Sequence, residues 1–159
     1  MRIGLLSDTH GFFDSGWLDY FAECDEIWHA GDIGSLEVAD ALADFRPLRA
    51  VYGNIDDATV RAEFPEDECF TIEGVKVWMT HIGGYPGRYH RRVRELLPTY
   101  QPGLFICGHS HILKVMPDKK YGLLHMNPGA CGHHGFHAVR TLLRFTILDG
   151  RVGEVEVVE

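Results

Sequence analysis

A chain of 159 residues, 45% of them hydrophobic, predicts one α/β domain over residues 1–159 that buries a core without disulfide staples. The formal net charge of −8 argues against a general grip on nucleic-acid backbones, which needs a basic surface, but not against a small phosphate-bearing substrate, because bound cations reverse the local sign. No apolar run approaches the ~20 residues of a membrane helix, the start of the chain is too short in apolar length for a signal peptide, and the four scattered cysteines read as reduced thiols of a cytoplasmic protein.

Ile3 to Ser7 is a short apolar run closed by Asp8 and predicts a buried first strand. Asp14 to Glu23 places Trp17, Leu18, Phe21 and Ala22 on one helical face. Glu26 to Ala30 predicts a second strand, Ser35 to Phe45 a capped helix, and Leu48 to Tyr52 a third strand. This repeated strand–loop–helix unit is the signature of parallel pairing with crossover helices. Glu68 to Ile72 and Val75 to Thr80 then flank Glu73-Gly74, a two-residue hairpin signal. Arg88 to Leu97 reads as a basic amphipathic helix stopped by Pro98, and Leu104 to Cys107 as another buried strand. Ile112 to Met116 with Leu123 to Met126, and Ala138 to Leu148 with Arg151 to Val158, predict two further hairpins. The expected domain has a parallel front half, an antiparallel back half, and two sheets packed face to face with helices outside.

Five of the strand ends run straight into metal-type residues: Asp8-Thr9-His10, Gly31-Asp32, Gly53-Asn54, Thr80-His81 and Gly108-His109-Ser110-His111. In α/β sheets, ligands bind where the strands' carboxyl ends release their loops, so the five can converge. The glycines before Asp32, Asn54 and His109 suit sharp turns and close approach. Four imidazoles, two carboxylates and one amide are too many donors for a single ion and suit two ions sharing a bridge. The absence of thiolate among these donors favours Mn, with Fe, Zn, Ni or Co also compatible, over a structural Cys-type zinc.

Taken together and in this order, these motifs resemble the calcineurin-like metallophosphoesterase superfamily; the short length and Asn127-Pro128-Gly129 are similar to its small bacterial and archaeal phosphodiesterase branch. The resemblance implies a four-layer α/β/β/α sandwich of two mixed sheets with a dimetal site at strand carboxyl ends. It implies one divalent ion on Asp8, His10, Asp32 and His111, and another on Asp32, Asn54, His81 and His109, with Asp32 as the bridge. Asp32, Asn54 and His109 would act in catalysis through the metals. A metal-bridging hydroxide would then attack a phosphodiester, and a phosphomonoester as a second substrate class. Relatives form dimers or larger assemblies, and the antiparallel strands leave edges for a homo-oligomer.

Larger members carry Gly-Asn-His-Asp or Gly-Asn-His-Glu, whose His protonates the leaving group; here Ile55 stands at that place in Gly53-Asn54-Ile55-Asp56. His133 and His134, in a glycine-rich segment, are candidates for the missing donor. Asp56 fits equally well as a residue orienting a ligand and as a turn carboxylate. Arg88 and Tyr85, in the loop after His81, are candidates for a phosphate oxygen and a substrate ring. Arg91, Arg92 and Arg94 read as a solvated helix face, His29 as structural, and His90 and His125 as lacking a ligand-like context. The rival reading is a catalytically weak scaffold, as in the retromer subunit of this fold, which departs from the full ligand set.

Overall fold

The computed structural model describes residues 1–159. The layering follows from side-chain alternation along the strands. In β1 (Arg2–Leu6), Ile3 and Leu5 point to one face while Leu6 and the open side of Gly4, against the Phe21 ring, point to the other. The same division separates Trp28 from Ile27 in β2 (Glu26–His29) and Val77 and Met79 from Trp78 in β5 (Val75–Thr80).

The first sheet contains β1, β2, β3 (Leu48–Ala50), β11 (Leu142–Leu148) and β12 (Arg151–Val158), in the order β12-β11-β1-β2-β3. β1, β2 and β3 are parallel, and β11 and β12 are antiparallel additions. The second sheet has the order β4-β5-β8-β10-β9, with β4 (Asp67–Ile72), β8 (Leu104–Ile106), β9 (Leu113–Asp118) and β10 (Leu123–Pro128). Between the sheets lies a core that includes Ile3, Leu5, Trp28, Met79, Ile106 and Phe145. Each such large side chain contributes about 1.5–3 kcal/mol relative to exposure, and together they hold the strand ends in register. Helices α1 (Gly16–Tyr20), α2 (Leu36–Phe45) and α3 (Ala58–Glu63) cover the outer face of the first sheet through Trp17, Leu42 and Val60. Helix α4 (Arg91–Tyr100) covers the second through Val93 and Leu97. The result is the expected four-layer α/β/β/α sandwich.

Several details differ from the sequence-based expectation. The parallel and antiparallel halves do not coincide with the two sheets: the final hairpin returns to β1, and β5, β8 and β10 are parallel. Helix α1 is shorter than 14–23, because Gly16 opens it under an Asp14 side-chain turn. Arg88–Tyr89 is strand β7, paired with β6 (Gly84–Tyr85), and α4 starts later and continues through Pro98 to Tyr100. Tyr100 packs edge-on against Trp78 at 4.7 Å, so tertiary contact carries the last turn past the proline. Helix α3, capped by Asp57 accepting from the Val60 N–H, was not expected. Strand β9 runs on through Pro117, which an edge strand tolerates, and β11 begins at Leu142 rather than Ala138. Both expected tight turns are present, with positive φ at Glu73-Gly74 and Asp149-Gly150 as a type I′ hairpin requires.

Candidate metal centre

The parallel strands β1, β2 and β3 of one sheet and β5 and β8 of the other end at the same edge of the sandwich, and the loops leaving them meet. Asp8, His10 and His111 offer ligand atoms within 4.8 Å of one another, and so do Asp32, His81 and His109. Asp32 Oδ2 touches both groups, lying 3.4 Å from His10 Nε2 and 3.2 Å from His81 Nε2. Asp8 Oδ1 sits 3.2 Å from His111 Nε2, 3.7 Å from His81 Nε2 and 3.8 Å from His10 Nε2. Asn54 Oδ1 and His109 Nδ1 face each other at 3.0 Å on the exposed rim.

The backbone carries strain where these residues stand. Asp8, His10, Asp32, His109 and His111 all have φ between 48° and 69°, in the left-handed region that L-residues rarely adopt. Such strain concentrates at functional sites, where surrounding structure over-determines it. Two glycines show why no side chain is tolerated beside them: a Cβ on Gly53 would collide with the Asp32 carboxylate, and one on Gly108 with Ser7 and Asp8.

Three ligand atoms, Asp8 Oδ1, His10 Nε2 and His81 Nε2, are buried without a hydrogen-bond partner. Each such group costs about 1–3 kcal/mol unless something pairs with it, and all three point to one place. Neighbouring bonds aim them there. His81 Nδ1 lies 2.7 Å from the Ala30 carbonyl, so it carries the proton and leaves Nε2 as a lone-pair donor. Ser7 Oγ and the His109 N–H occupy Asp8 Oδ2, leaving Oδ1 free.

The electrostatics agree. Burial alone would raise the Asp8 carboxyl, but the His10 and His111 imidazoles beside it and the His81 charge hold it well below the carboxylate range. Burial opposes charge on His81, and the Asp32 carboxylate 3.2 Å from its Nε2, with the nearby Asp8 charge, overcomes that and raises it. The Asp8 carboxylate, 3.2 Å from its Nε2, raises His111 against its burial. On His109, burial and the His81 charge prevail and lower it. The centre is thus a well of negative potential in which His81 and His111 hold protons, and a divalent cation would displace those protons. The donor set fits such an ion.

Supporting residues fix the loops. Asp56, buried, accepts from the N–H groups of Ile33, Gly34 and Gly53, and so ties the Asp32 loop to the Asn54 loop; it is more than a turn carboxylate. Arg61 donates to the Asp56 and Asn54 carbonyls. The Gly31 N–H donates to His29 Nδ1, so Nε2 bears the proton and donates to Thr9 Oγ1, which in turn donates to the Ile33 carbonyl. Asn127 donates to the Gly108 carbonyl and Ser110 Oγ under the loop carrying His109 and His111.

A cleft of about 470 Å³ opens over the centre, lined by His10, Asp32, Asn54, His109, His111 and, above them, Ile55 and His134. The remaining candidates are sorted by this geometry. The His134 ring stacks on His10 at 4.8 Å, whereas His133 packs on Phe12 at 4.2 Å and does not line the cleft. His137, which the sequence reading passed over, places Nδ1 3.3 Å from His111 Nδ1; the run of imidazoles at 133–137 was the available signal. Tyr85 lies beyond the cleft with Lys114 over its ring at 4.4 Å, and exposed Arg88 lines no part of it. Arg92 is not a solvated residue: it pairs with Asp67 and reaches Thr80, next to His81.

The sequence model of the calcineurin-like phosphoesterase superfamily domain matches residues 1–150. A probable metallophosphoesterase of Methanocaldococcus jannaschii is 31% identical over 137 residues, covering 82% of this chain and 68% of that protein. Among solved structures, a novel archaeal phosphodiesterase superposes with a TM-score of 0.75 at 20% identity, over 99% of this chain and all of that one (100%). Zn-complexed Vps29 from Entamoeba histolytica has a TM-score of 0.75 at 19% identity, over 99% and 97% of the two chains. With a family model spanning nearly the whole chain and a fold to match, the protein belongs to the calcineurin-like phosphoesterase superfamily.

Proposed function

We propose that residues 1–159 act as one cytoplasmic catalytic domain, a dinuclear metal-dependent phosphoesterase that cleaves phosphodiesters and, secondarily, phosphomonoesters. The observation that carries this reading is the meeting of three unpartnered buried ligand atoms with Asp32 Oδ2 at the junction of two ligand groups. One ion would be held by Asp8, His10, Asp32 and His111, and the other by Asp32, Asn54, His81 and His109, with Mn the first candidate. When bound, the ions would lower the pKa of an attacking water and neutralise phosphate oxygens.

The protein's own groups do the rest. Asp32 carries the negative charge needed between two cations, and the Ile55 N–H on Oδ1 fixes its orientation. Asn54 and His109 stand at the exposed rim, where the ester enters, while Asp8 and His81 are buried beneath. With Ile55 at the cleft wall, His134 is the imidazole placed to pass a proton to the departing oxygen. Ile55 is also the observation that favours a weak scaffold; the complete set of seven competent ligand positions weighs against it.

The test is to strip metals, restore Mn, and compare a chromogenic phosphodiester with a phosphomonoester. Mn-dependent diester cleavage that Asp32→Ala abolishes supports the reading. Metal binding without turnover of either ester would move the scaffold to the front.

A further inference from the structure

The carbonyl of Gly132 can only accept a hydrogen bond, and His137 Nε2 lies 2.8 Å from it, so that nitrogen carries a proton. The other ring nitrogen, Nδ1, faces His111 Nδ1 at 3.3 Å, and one hydrogen must stand between the two. Two arrangements satisfy this contact. With the hydrogen on His111 Nδ1, His137 accepts it through a lone pair and His111 Nε2 becomes the metal-binding nitrogen. With the hydrogen on His137 Nδ1, His111 keeps its proton on Nε2, where it faces Asp8 Oδ1 at 3.2 Å and blocks the ligand position. Charge favours the first, since Asp8 stands beside His111 and places the positive ring there. A neutral imidazole carries one N–H, so a cation on Nε2 requires that proton on Nδ1.

The segment that brings His137 here is itself tied to the ligand loops. The Gly132 N–H donates to the Asp8 carbonyl at 3.1 Å and the Cys131 N–H to the Ser7 carbonyl at 3.0 Å, so the strand end that carries Asp8 also fixes the Gly132 carbonyl. Gly135 passes so close that a Cβ there would strike His111 Nδ1 and crowd His137 Nδ1. A closed circuit results, running from the Asp8 backbone through Gly132, His137 and His111 back to the Asp8 carboxylate. The two rings meet edge-on, at 72° with centroids 5.1 Å apart, as a nitrogen-to-nitrogen bond requires. Both nitrogens of His137 are thereby used, which separates it from His134, stacked on His10.

We propose that His137 is a positioning residue for the metal centre: by accepting the His111 Nδ1 proton it fixes the tautomer that leaves Nε2 to the ion on Asp8, His10, Asp32 and His111. Its effect is confined to that ion, because His81 takes its tautomer from the Ala30 carbonyl and His109 faces Asn54. The inference rests on the metal-binding half of the proposed function and not on ester cleavage, so its test needs no substrate.

The test is calorimetric titration of the metal-stripped full chain with zinc, joined to NMR of nitrogen-labelled histidines in the zinc-loaded protein. His137→Phe keeps a ring at this half-buried place without a lone pair, and His137→Asn restores an acceptor near the Nδ1 position. In the Phe variant one of the two zinc equivalents should bind about 10–100-fold more weakly, the usual cost of losing the partner of a metal-bound imidazole. The other equivalent should change far less, and the Asn variant should recover most of the loss. In the wild type the proton between the rings should be bonded to His111 Nδ1 and show coupling across the hydrogen bond to His137 Nδ1. Equal zinc affinity in the wild type and the Phe variant, equal weakening of both equivalents, or a proton bonded to His137 Nδ1 overturns the proposal. A wild type that takes up no zinc overturns it together with the dinuclear reading. Zinc binding that depends on His137 in a chain that cleaves no ester supports it and counts against the phosphoesterase reading alone.

Discussion

The Ile55 backbone N–H donates to Asp32 Oδ1 at 3.1 Å, so the residue standing where larger relatives carry a proton-donating His also orients the carboxylate shared by both ligand groups. Backbone and side chain therefore have separable roles at this position. Ile55→His keeps the N–H and adds an imidazole at the cleft. With poor alkoxide leaving groups, turnover should rise by about 10–100-fold, below the ~10²–10⁴ of an evolved general acid. With 4-nitrophenolate it should barely change. A leaving-group series on the wild type and the variant measures the difference.

Asp56 accepts three backbone N–H groups while buried, and an amide in its place turns one acceptor into a donor facing a donor. Asp56→Asn should lower unfolding stability by about 1–3 kcal/mol and metal affinity by ~10–100-fold. Urea unfolding and calorimetric metal titration read the two effects separately. Unchanged metal affinity would show that the loop tie does not position Asp32 and Asn54.

Much of this centre was legible because strand ends are simple signals: a short apolar run, a glycine, then Asp, Asn or His. Asp32, Asn54 and His109 are read directly from that grammar, and Asp8 from the apolar run closed by Ser7. What escaped depends on contacts no local pattern records. Pro98 looked like a helix stop because its own N–H is missing, and Tyr100 packing on Trp78 overrides it. Arg92, on helix α4, looked solvated because its partner Asp67 lies far away in sequence, on strand β4. Helix α3 has only six residues, too few to show a helical period in sequence, although Asp57 is an ordinary cap.

Proton and metal compete for the same nitrogens. His81 and His111 have raised pKa values through Asp32 and Asp8, so each contributes stability to the metal-free fold below the unfolded value of about 6.5, lost as pH rises through its folded value. Metal affinity should therefore climb from pH 6 to pH 8, with protons released on binding. Calorimetry in buffers of different ionisation enthalpy counts those protons. Binding without proton release would contradict the charge distribution described above.

His29 behaves in the opposite sense. Burial lowers it to about 4, so the unfolded chain binds the extra proton between its ordinary value and that one. Its contribution is present above about 6.5 and lost as pH falls towards 4, at up to about 1.4 kcal/mol per pH unit. In the metal-free protein, His29→Gln should flatten the fall in stability between pH 6.5 and 5 while lowering stability at pH 7, because the Gly31 and Thr9 bonds are disturbed. Urea midpoints at the two pH values test both.

The central claim is two ions acting on one ester across Asp32, and diester turnover measured against Mn equivalents added to the stripped protein tests it most directly. The account predicts that activity appears as the second equivalent per chain binds, and that Asp32→Ala shows none at any loading. Full activity at one equivalent, or two bound equivalents with no turnover, would contradict it.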